Sequence, residues 1–337
     1  MEPIKLIAEI AQGFEGKPDQ AAMLIQAAAA AGADAVKLQL IYADELCTSD
    51  YKHYALFASL EMADQVWMDL HKLAATLGVE LYLDVFGERS LRMSEQLKVA
   101  GVKVHSTDMA NVRLLKMIGK SQVERVMLSA GGCHASEIVV ALEIMASKHV
   151  ILMHGFQGYP TRIEDNQLSR LRVLRKIGEG HSRLDLGYAD HVPSDDPLRF
   201  IIPSIAIGLG VRYVEKHITL ALAMKIEDHE SALNPDEFAT FSAQLRSCEL
   251  AYASSGSLSE DFAMSQSELA YRKGMHKHVV AARDLAAGTV ISEDMVSLKR
   301  TSSNNPYFHI TEVIGRRLAS PAALDQALTS ANLGEDK

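Results

Sequence analysis

Residues 80–129 read ELYLDVFGERSLRMSEQLKVAGVKVHSTDMANVRLLKMIGKSQVERVMLS, and this stretch decides the fold. Short apolar runs alternate in it with amphipathic patterns of helical period. The predicted elements are, in order, strand Glu80–Phe86, helix Glu88–Leu97, strand Val102–Ser106, helix Ala110–Ile118 and strand Arg125–Ser129. Such alternation predicts parallel strands that are joined by helical crossovers.

The same alternation extends to both sides of this stretch. On its N-terminal side the predicted elements are strand Ile4–Ile10, helix Pro18–Ala31, strand Ala35–Leu40 and helix Asp64–Leu77. On its C-terminal side they are helix Ala135–Ser147, strand Val150–His154, helix Asn166–Ile177, strand Leu184–Tyr188, helix Leu198–Leu209, strand Val211–His217 and helix Pro235–Ser254. Eight strand–helix units favour an α/β fold of the closed (β/α)₈ type, a TIM barrel, over an open doubly wound sheet. No GxGxxG motif follows the first strand, which argues against a dinucleotide-binding domain.

The composition changes after the barrel. Residues 254–268 read SSGSLSEDFAMSQSE, which is typical of a linker. Residues 278–300, HVVAARDLAAGTVISEDMVSLKR, have short β-like runs around a turn at Gly288. We therefore predict a TIM-barrel catalytic domain at 1–255, a linker at 256–275 and a small, mostly-β module at 276–337.

Charge and cysteine content exclude several classes of protein. Lys and Arg total 34 against 43 Asp and Glu, so the formal net charge is −9 and a general nucleic-acid-binding role is not expected. The cysteines, Cys47, Cys133 and Cys248, form no CxxC pair, which argues against a disulfide framework or a thiolate zinc site. The start, MEPIKLIAEI, does not resemble a signal peptide, and the apolar run from Phe200 to Val211 is too short to cross a membrane. We expect a cytoplasmic protein without a membrane partner.

The predicted strands have apolar bodies and polar C-terminal ends, where the chemistry of such barrels is located. The polar and ionisable residues at or just after these ends are Glu9, Lys37, Gln39, Asp84, Lys103, Ser106, Asp108, Ser129, His154, Gln157, Tyr159, Asp190, His191 and His217. This pattern predicts an active site at one end of the barrel. Glu9, Asp108 and Asp228 are the acids that we expect to handle protons or hydroxyl groups.

Lys37 and Lys103 lie in apolar strands, where an ammonium group is costly to bury without a compensating anion. One interpretation is a multiply charged anionic ligand, to which Ser106, Ser129 and the backbone of Gly131–Gly132 would also donate hydrogen bonds. The alternative is a pair of structural salt bridges to Asp or Glu.

His191 and His217 close adjacent strands, and neutral imidazoles in such a pair suit a divalent transition metal with open positions for substrate. Two hydrogen-bonded histidines without a metal explain the spacing equally well.

Ordered motifs give the chain a resemblance to a known family. They are AEIAQGFEG at 8–16, AGADAVKLQ at 31–39, VKVHSTD at 102–108, LSAGG at 128–132, HGFQGYPT at 154–161, ADH at 189–191, EKH at 215–217 and EDHESALNPDEF at 227–238. The chain resembles the sialic acid (N-acetylneuraminate) synthases, in which this barrel precedes an SAF module, also called antifreeze-like or β-clip. Family members condense phosphoenolpyruvate with an N-acyl amino sugar or aldose, which gives a nonulosonic acid for cell-surface polysaccharide and releases phosphate.

The resemblance implies a role for each matching residue. Phosphoenolpyruvate would be bound by Lys37, Lys103, Ser106, Ser129 and Gln157. A divalent metal would be held by His191 and His217, with Mn²⁺ favoured and Mg²⁺ or Co²⁺ as alternatives. The acceptor sugar would contact Gln39, Phe86, Tyr159, Asp228 and, from the partner subunit of a domain-swapped homodimer, Arg300. The catalytic set would be Glu9, Asp108 and His217.

Several positions depart from the family pattern. They are Gln12–Phe14 in place of a segment with Asn-His, Asp84 in place of Thr, Asp108 in place of Glu, Gln157 in place of Asn, Ala189 in place of a hydroxyl residue and Arg300–Ser302 in place of Arg-Pro-Gly. We therefore expect the donor to be phosphoenolpyruvate and the acceptor to differ from N-acetylmannosamine. Two other functions stay open, a Schiff-base aldolase that uses Lys37 or Lys103 and a non-catalytic protein that binds sugar phosphates.

Overall fold

The computed structural model describes residues 3–155, 157–253 and 264–333. The chain divides into two compact units, Met1–Gly256 and Ser257–Lys337. The first unit contains a closed barrel of eight parallel strands in sequential order, as predicted. Its strands are β1 Lys5–Ala11, β2 Ala35–Gln39, β3 Glu80–Val85, β4 Gly101–Val104, β5 Arg125–Ser129, β6 His149–Gly155, β7 Leu184–Asp190 and β8 Tyr213–His217.

Helices surround the barrel and cover its strands. They are α1 Pro18–Ala30, α2 Ala43–Leu46, α3 Tyr54–Leu60, α4 Asp64–Thr76, α5 Glu88–Leu97, α6 Val112–Lys120, α7 Ala135–Ile144, α8 Arg170–Gly178, α9 Ile201–Gly208 and α10 Pro235–Ala253. The predicted helices recur with shifted ends, whereas α2 and α3 were not predicted. Both are short, and a segment of four or seven residues carries too little periodicity to be recognised.

Every second residue of a strand points into the barrel, because successive residues point to opposite faces. The inward-pointing side chains of the eight strands therefore form layers along the barrel. One interior cluster is apolar and consists of Ile7, Ala35, Tyr82, Met127, Ile151, Met153, Ala189 and Tyr213. Two residues further along the same strands come ionisable or polar groups, namely Glu9, Lys37, Asp84, Ser129, His191 and Glu215. The barrel therefore fills its middle with apolar side chains and collects polar ones at its C-terminal end.

The register of the sheet fixes which of these groups are neighbours. Glu9 of β1 is opposite Lys37 of β2 on one side and His217 of β8 on the other. Asp84 of β3 is opposite Gln39 of β2 and Lys103 of β4. Acidic and basic side chains thus alternate around this part of the ring.

The second unit begins its described part with helix α11, Gln266–Met275. Strands β9 His278–Ala281 and β10 Val296–Lys299 pair antiparallel, with Val296 opposite Ala281. Ten fully buried apolar side chains form its core. Of the predicted linker, residues 256–263 lie outside the described residues and most of the remainder is α11, so its limits stay a proposal. Among the described residues, no helix has the length and hydrophobicity needed to span a membrane.

Candidate active site

An inner cavity opens at the C-terminal end of the barrel strands. Ionisable side chains from five of the eight strands line it, together with His191 just after β7 and with some polar, small and apolar groups. The lining residues are Glu9, Ala11, Lys37, Gln39, Asp84, Lys103, His105, Ser129, Met153, Gly155, Tyr159, Ala189, His191, Glu215, His217 and Asp228. Nine of the residues predicted from sequence are therefore brought together here.

Lys37 is almost completely buried and is surrounded by carboxylates. Its Nζ atom contacts Glu9, lies 2.8 Å from Asp84 Oδ1 and lies 3.9 Å from Glu215 Oε2. Burial alone would lower the pKa of Lys37, but the charges of these carboxylates raise it well above its ordinary value. Lys37 is consequently a stable ammonium ion at neutral pH.

Lys103 is paired as well, since its Nζ atom lies 2.6 Å from Glu215 Oε1. Burial would raise the pKa of Glu215, but the two lysines hold it below its usual range. Both lysines thus form the salt bridges that the second interpretation of the sequence named. They also line the cavity, so the pairing does not exclude an anionic ligand.

Glu9 lies at a distortion in the first strand. The pairing of β1 with β2 shifts register between Glu9 and Ala11, and the Ala11 N–H donates a 2.7 Å hydrogen bond to Glu9 Oε1. Ala11 has φ 48°, which is uncommon for a residue with a Cβ atom. Burial raises the pKa of Glu9 well above its ordinary value, although the charge of Lys37 opposes the shift. Glu9 therefore takes up a proton more readily than an exposed glutamate does.

His191 and His217 face each other, with ring centroids 5.2 Å apart. Burial lowers the pKa of His191 to about 3 and the pKa of His217 well below its usual value. The His191 Nδ1 atom lies 3.0 Å from the Ala189 carbonyl oxygen, so a proton on Nδ1 leaves the lone pair on Nε2. Two neutral imidazoles at one cavity wall fit a divalent transition metal. Within the described residues, no group of three or more His, Cys, Asp or Glu side chains could hold one.

An outer cavity of about 530 Å³ adjoins the inner one and shares Gln39, His105, Tyr159 and Asp228 with it. Its other walls are Gln12, Glu45, Leu46, Cys47, Tyr51, Phe57, Phe86, Thr107 and Asp108. The pKa of Asp228 is raised to about 6. Burial is the largest cause, and the charges of the neighbouring acids Glu227 and Glu230 add to it. Among the described residues, no Lys or Arg lines this outer cavity.

The remaining predicted residues lie elsewhere. Ser106 belongs to a single 3₁₀ turn, Ser106–Asp108, because β4 ends at Val104 rather than at Ser106 as predicted. Gln157 contacts His154, with its Nε2 atom 3.3 Å from His154 Nδ1. Within the described chain, neither Ser106 nor Gln157 lines either cavity. Arg300 belongs to the second unit, where its Nε–H donates to the Met275 carbonyl oxygen at 3.1 Å.

Sequence analysis did not assign roles to Glu215 or His105, which both line the inner cavity. Glu215 could have been found, because it precedes His217 by two residues on one strand and so faces the same way. Gly155 is a different kind of wall residue. Its φ is +145°, and a Cβ atom there would lie 2.1 Å from the Ala189 carbonyl oxygen.

Comparison with known proteins places this site in a family. The sequence model of the NeuB family matches residues 24–256, and that of the SAF domain matches residues 277–333. The chain belongs to the NeuB family. Membership confirms the predicted resemblance to sialic acid synthases, the barrel-plus-SAF architecture and the assignment as an enzyme.

Relatives with named functions match nearly the whole length of this chain. The N,N'-diacetyllegionaminic acid synthase of Legionella pneumophila is 27% identical over 335 residues, which cover 93% of this chain and 90% of that protein. The N-acetylneuraminate-9-phosphate synthase of Mus musculus is 26% identical over 313 residues, which cover 88% and 83%. A crystal structure of N-acetylneuraminic acid synthetase from Leptospira borgpetersenii, in complex with citrate, superposes with a TM-score of 0.71 and 25% identity, over 81% of this chain and 93% of that one.

Proposed function

We propose that this protein condenses phosphoenolpyruvate with an aldose or N-acyl amino sugar to give a 3-deoxy-2-keto nonulosonic acid and phosphate. The observation that carries the proposal is the inner cavity, where two buried lysines, a serine and two neutral histidines face one space. Membership of the NeuB family supplies the reaction type, since relatives include synthases of legionaminic and sialic acids.

Lys37, Lys103 and Ser129 would bind the donor, with the ammonium groups on its carboxylate and phosphate. Such groups stabilise negative charge throughout the reaction without forming a covalent bond. Ser106 and Gln157, which the resemblance also assigns to the donor, would have to reach it from outside the cavity walls. Binding of the donor by these two residues is a weaker part of the proposal.

His191 and His217 would hold the divalent metal, for which their neutral imidazoles are suitable ligands. A metal at this position supplies Lewis-acid polarisation of the acceptor's carbonyl group. Mn²⁺ is the ion that we propose, with Mg²⁺ or Co²⁺ as alternatives.

The outer cavity would hold the acceptor sugar through Gln39, Phe86, Tyr159 and Asp228. Its aromatic side chains suit the apolar faces and acyl groups of a sugar, while its carboxylates accept hydrogen bonds from hydroxyl groups. Because several positions around this site depart from the family pattern, we propose an acceptor that differs from N-acetylmannosamine.

In the bond-forming step, the enol carbon of phosphoenolpyruvate attacks the acceptor's aldehyde carbon. Glu9, which can carry a proton, would donate it to the oxygen that becomes a hydroxyl group. Asp108 lines the outer cavity and is the alternative proton-handling acid. Water then adds to the oxocarbenium carbon of the donor, and loss of phosphate leaves the 2-keto acid.

The Schiff-base alternative requires an uncharged lysine as nucleophile. The raised pKa of Lys37 opposes that role for this residue. Borohydride trapping of a pyruvate adduct would favour the aldolase. Phosphoenolpyruvate binding without phosphate release, across a broad panel of acceptors, would favour the non-catalytic alternative.

The direct test is inorganic phosphate release from phosphoenolpyruvate with Mn²⁺ across a panel of aldoses and N-acyl hexosamines. We expect release that depends on both the metal and one sugar of the panel, and loss of release in His217→Ala. Comparable turnover with N-acetylmannosamine and every bacterial alternative would contradict the acceptor proposal. Absence of phosphoenolpyruvate binding would overturn the donor.

We also propose that Arg300 serves the partner subunit's barrel in a domain-swapped homodimer. Mixing Arg300→Ala subunits with His217→Ala subunits should then restore part of the activity. No restoration despite confirmed subunit exchange would overturn the shared site. The cytoplasmic location stays a prediction.

A further inference from the structure

Asp84 occupies an unusual position for an acidic residue in an anion site. It is 1% exposed and lies on β3 between the strands that carry Lys37 and Lys103. Its Oδ1 atom accepts a 2.8 Å hydrogen bond from Lys37 Nζ. Its buried Oδ2 atom has no hydrogen-bond partner among the residues that the structure describes, and the residue lines the inner cavity.

The charges around the two lysines do not leave a positive surplus. Three carboxylates, from Glu9, Asp84 and Glu215, contact two ammonium groups. With Glu9 protonated, the cluster is neutral, and with all groups ionised it carries one negative charge. The two lysines would attract a multiply charged anion. The negative charge of Asp84 opposes this attraction.

We propose that Asp84 competes with the donor's anionic group for the Lys37 ammonium and thereby limits the affinity of the cavity for anions. This inference rests on the proposed function, in which phosphoenolpyruvate binds at the lysines. Because the competition acts on any anion in the cavity, it weakens the retention of released phosphate as well as the binding of the donor. Interactions shared by substrate and product in this way affect affinity rather than the chemical step.

The competing explanation is that Asp84 only holds Lys37 in position. The two explanations differ in sign. If Asp84 competes with the donor, an uncharged residue at position 84 tightens anion binding. If Asp84 positions Lys37, the same change lets the lysine side chain move and weakens anion binding.

The test is calorimetric titration of phosphoenolpyruvate and of inorganic phosphate into the full chain and Asp84→Asn, at one fixed Mn²⁺ concentration. We expect Asp84→Asn to bind both anions about tenfold tighter or more, because like charges placed together are strongly unfavourable. Asp84→Thr serves as a second variant, so that a folding defect in one does not decide the result.

Glu80→Gln is the matched control, since it removes the same charge from the same strand. Glu80 pairs with Lys5 at 3.1 Å and Arg125 at 3.5 Å, at the other end of the barrel. We expect its anion affinities to stay within about twofold of the wild-type values, as for an exposed ion pair.

Steady-state kinetics separate the two explanations further. Competition predicts a lower KM for phosphoenolpyruvate and stronger inhibition by phosphate in Asp84→Asn, without a higher kcat. Unchanged or weaker binding in both Asp84 variants would overturn the inference, and wild-type phosphate release would then leave the proposed function intact. Failure of the wild type and both variants to bind either anion would overturn the inference and the proposed donor together.

Discussion

The barrel buries some of its ion pairs, whereas the ion pairs among the described residues of the C-terminal unit are exposed. In the barrel, Lys216 contacts Asp190 with both side chains fully buried. In the C-terminal unit, Lys299 lies 2.5 Å from Asp325 and Arg283 lies 2.9 Å from Asp294, with every one of these side chains more than half exposed. The barrel thus removes some pairs from water while it keeps others, such as Arg92 with Glu88, at its surface.

The difference follows from the size of the two cores. Burial of a charge costs free energy, which a large apolar core can offset and a core of ten side chains cannot. The barrel can therefore hold groups such as Lys37 and His191 in surroundings that shift their pKa values. Residues with perturbed pKa values are typical of functional sites, and here they concentrate in the unit that can stabilise them.

The largest effect that we expect comes from breaking the buried pair. Lys216→Met would leave Asp190 charged and buried, with the Tyr188 hydroxyl at 2.9 Å as a remaining donor. We predict a loss of about 3–5 kcal/mol in the free energy of unfolding, measured by urea denaturation of the barrel. The double variant Lys216→Met with Asp190→Leu should recover part of the loss. An effect below about 1 kcal/mol would show that solvent reaches this pair.

The second prediction concerns a buried lysine at the active site. Lys103→Ala should reduce kcat/KM for phosphate release about 10²–10³-fold, because a charge that stabilises the anion is lost. Lys148→Ala is the control variant, which should leave kcat/KM nearly unchanged. Lys148 is also buried, but its Nζ atom donates to the Ser121 carbonyl oxygen at 2.7 Å, and it is not among the residues that line the cavity. Near-normal activity of Lys103→Ala, or equal losses in both variants, would contradict the assigned role.

The third prediction uses the pKa of Asp228, which burial raises to about 6. Below that pH the carboxylate gains a proton, and the neutral carboxyl group accepts hydrogen bonds from sugar hydroxyl groups more weakly than the charged one. We expect kcat/KM for the acceptor to be nearly constant above pH 7 and to fall about fivefold between pH 6 and pH 5. His191 should not contribute, since its pKa is about 3.

Asp228→Asn should lower kcat/KM at pH 8 about tenfold and remove this limb of the pH profile. The charged groups and the backbone group that act on Asp228 are the Gln12 N–H, Glu227, Glu230 and Lys37. Persistence of the limb in Asp228→Asn would assign the titration to another group.

The smallest effect is expected in the C-terminal unit. Lys299→Met breaks an exposed pair with Asp325, and such pairs contribute about 0–1 kcal/mol. We predict that the free energy of unfolding changes by less than about 1 kcal/mol and less still at 1 M salt. A loss comparable to that of Lys216→Met would abolish the contrast between the two units.

The sequence was sufficient for the barrel and for the positions of most cavity residues. Period-2 alternation and the rule that active sites form at the C-terminal strand ends together located Glu9, Lys37 and His217. The partners of these residues were harder to predict. Contact of Lys37 with Asp84 depends on the register of β2 against β3, which the sequence of either strand does not specify.

Loop residues were less predictable than strand residues. Ser106 and Gln157 each follow the end of their strand by two positions, where the chain turns and the alternation no longer holds. Ser106 is the first residue of a 3₁₀ segment, and the side chain of Gln157 contacts His154 instead of lining the cavity. A motif match identifies such residues but does not give the direction of their side chains.

The contact between Gly155 and Ala189 has a consequence for engineering the acceptor range. A methyl group at position 155 would overlap the Ala189 carbonyl oxygen, and the backbone at 155 has a φ that other residues rarely adopt. Random libraries at this position should therefore return glycine almost exclusively. Diversity is better introduced at Leu46, Phe57 and Phe86, which line the outer cavity and are not among the described residues that line the inner one. The outer cavity is thus the part of the enzyme in which new sugars can be accommodated without changing the backbone at Gly155.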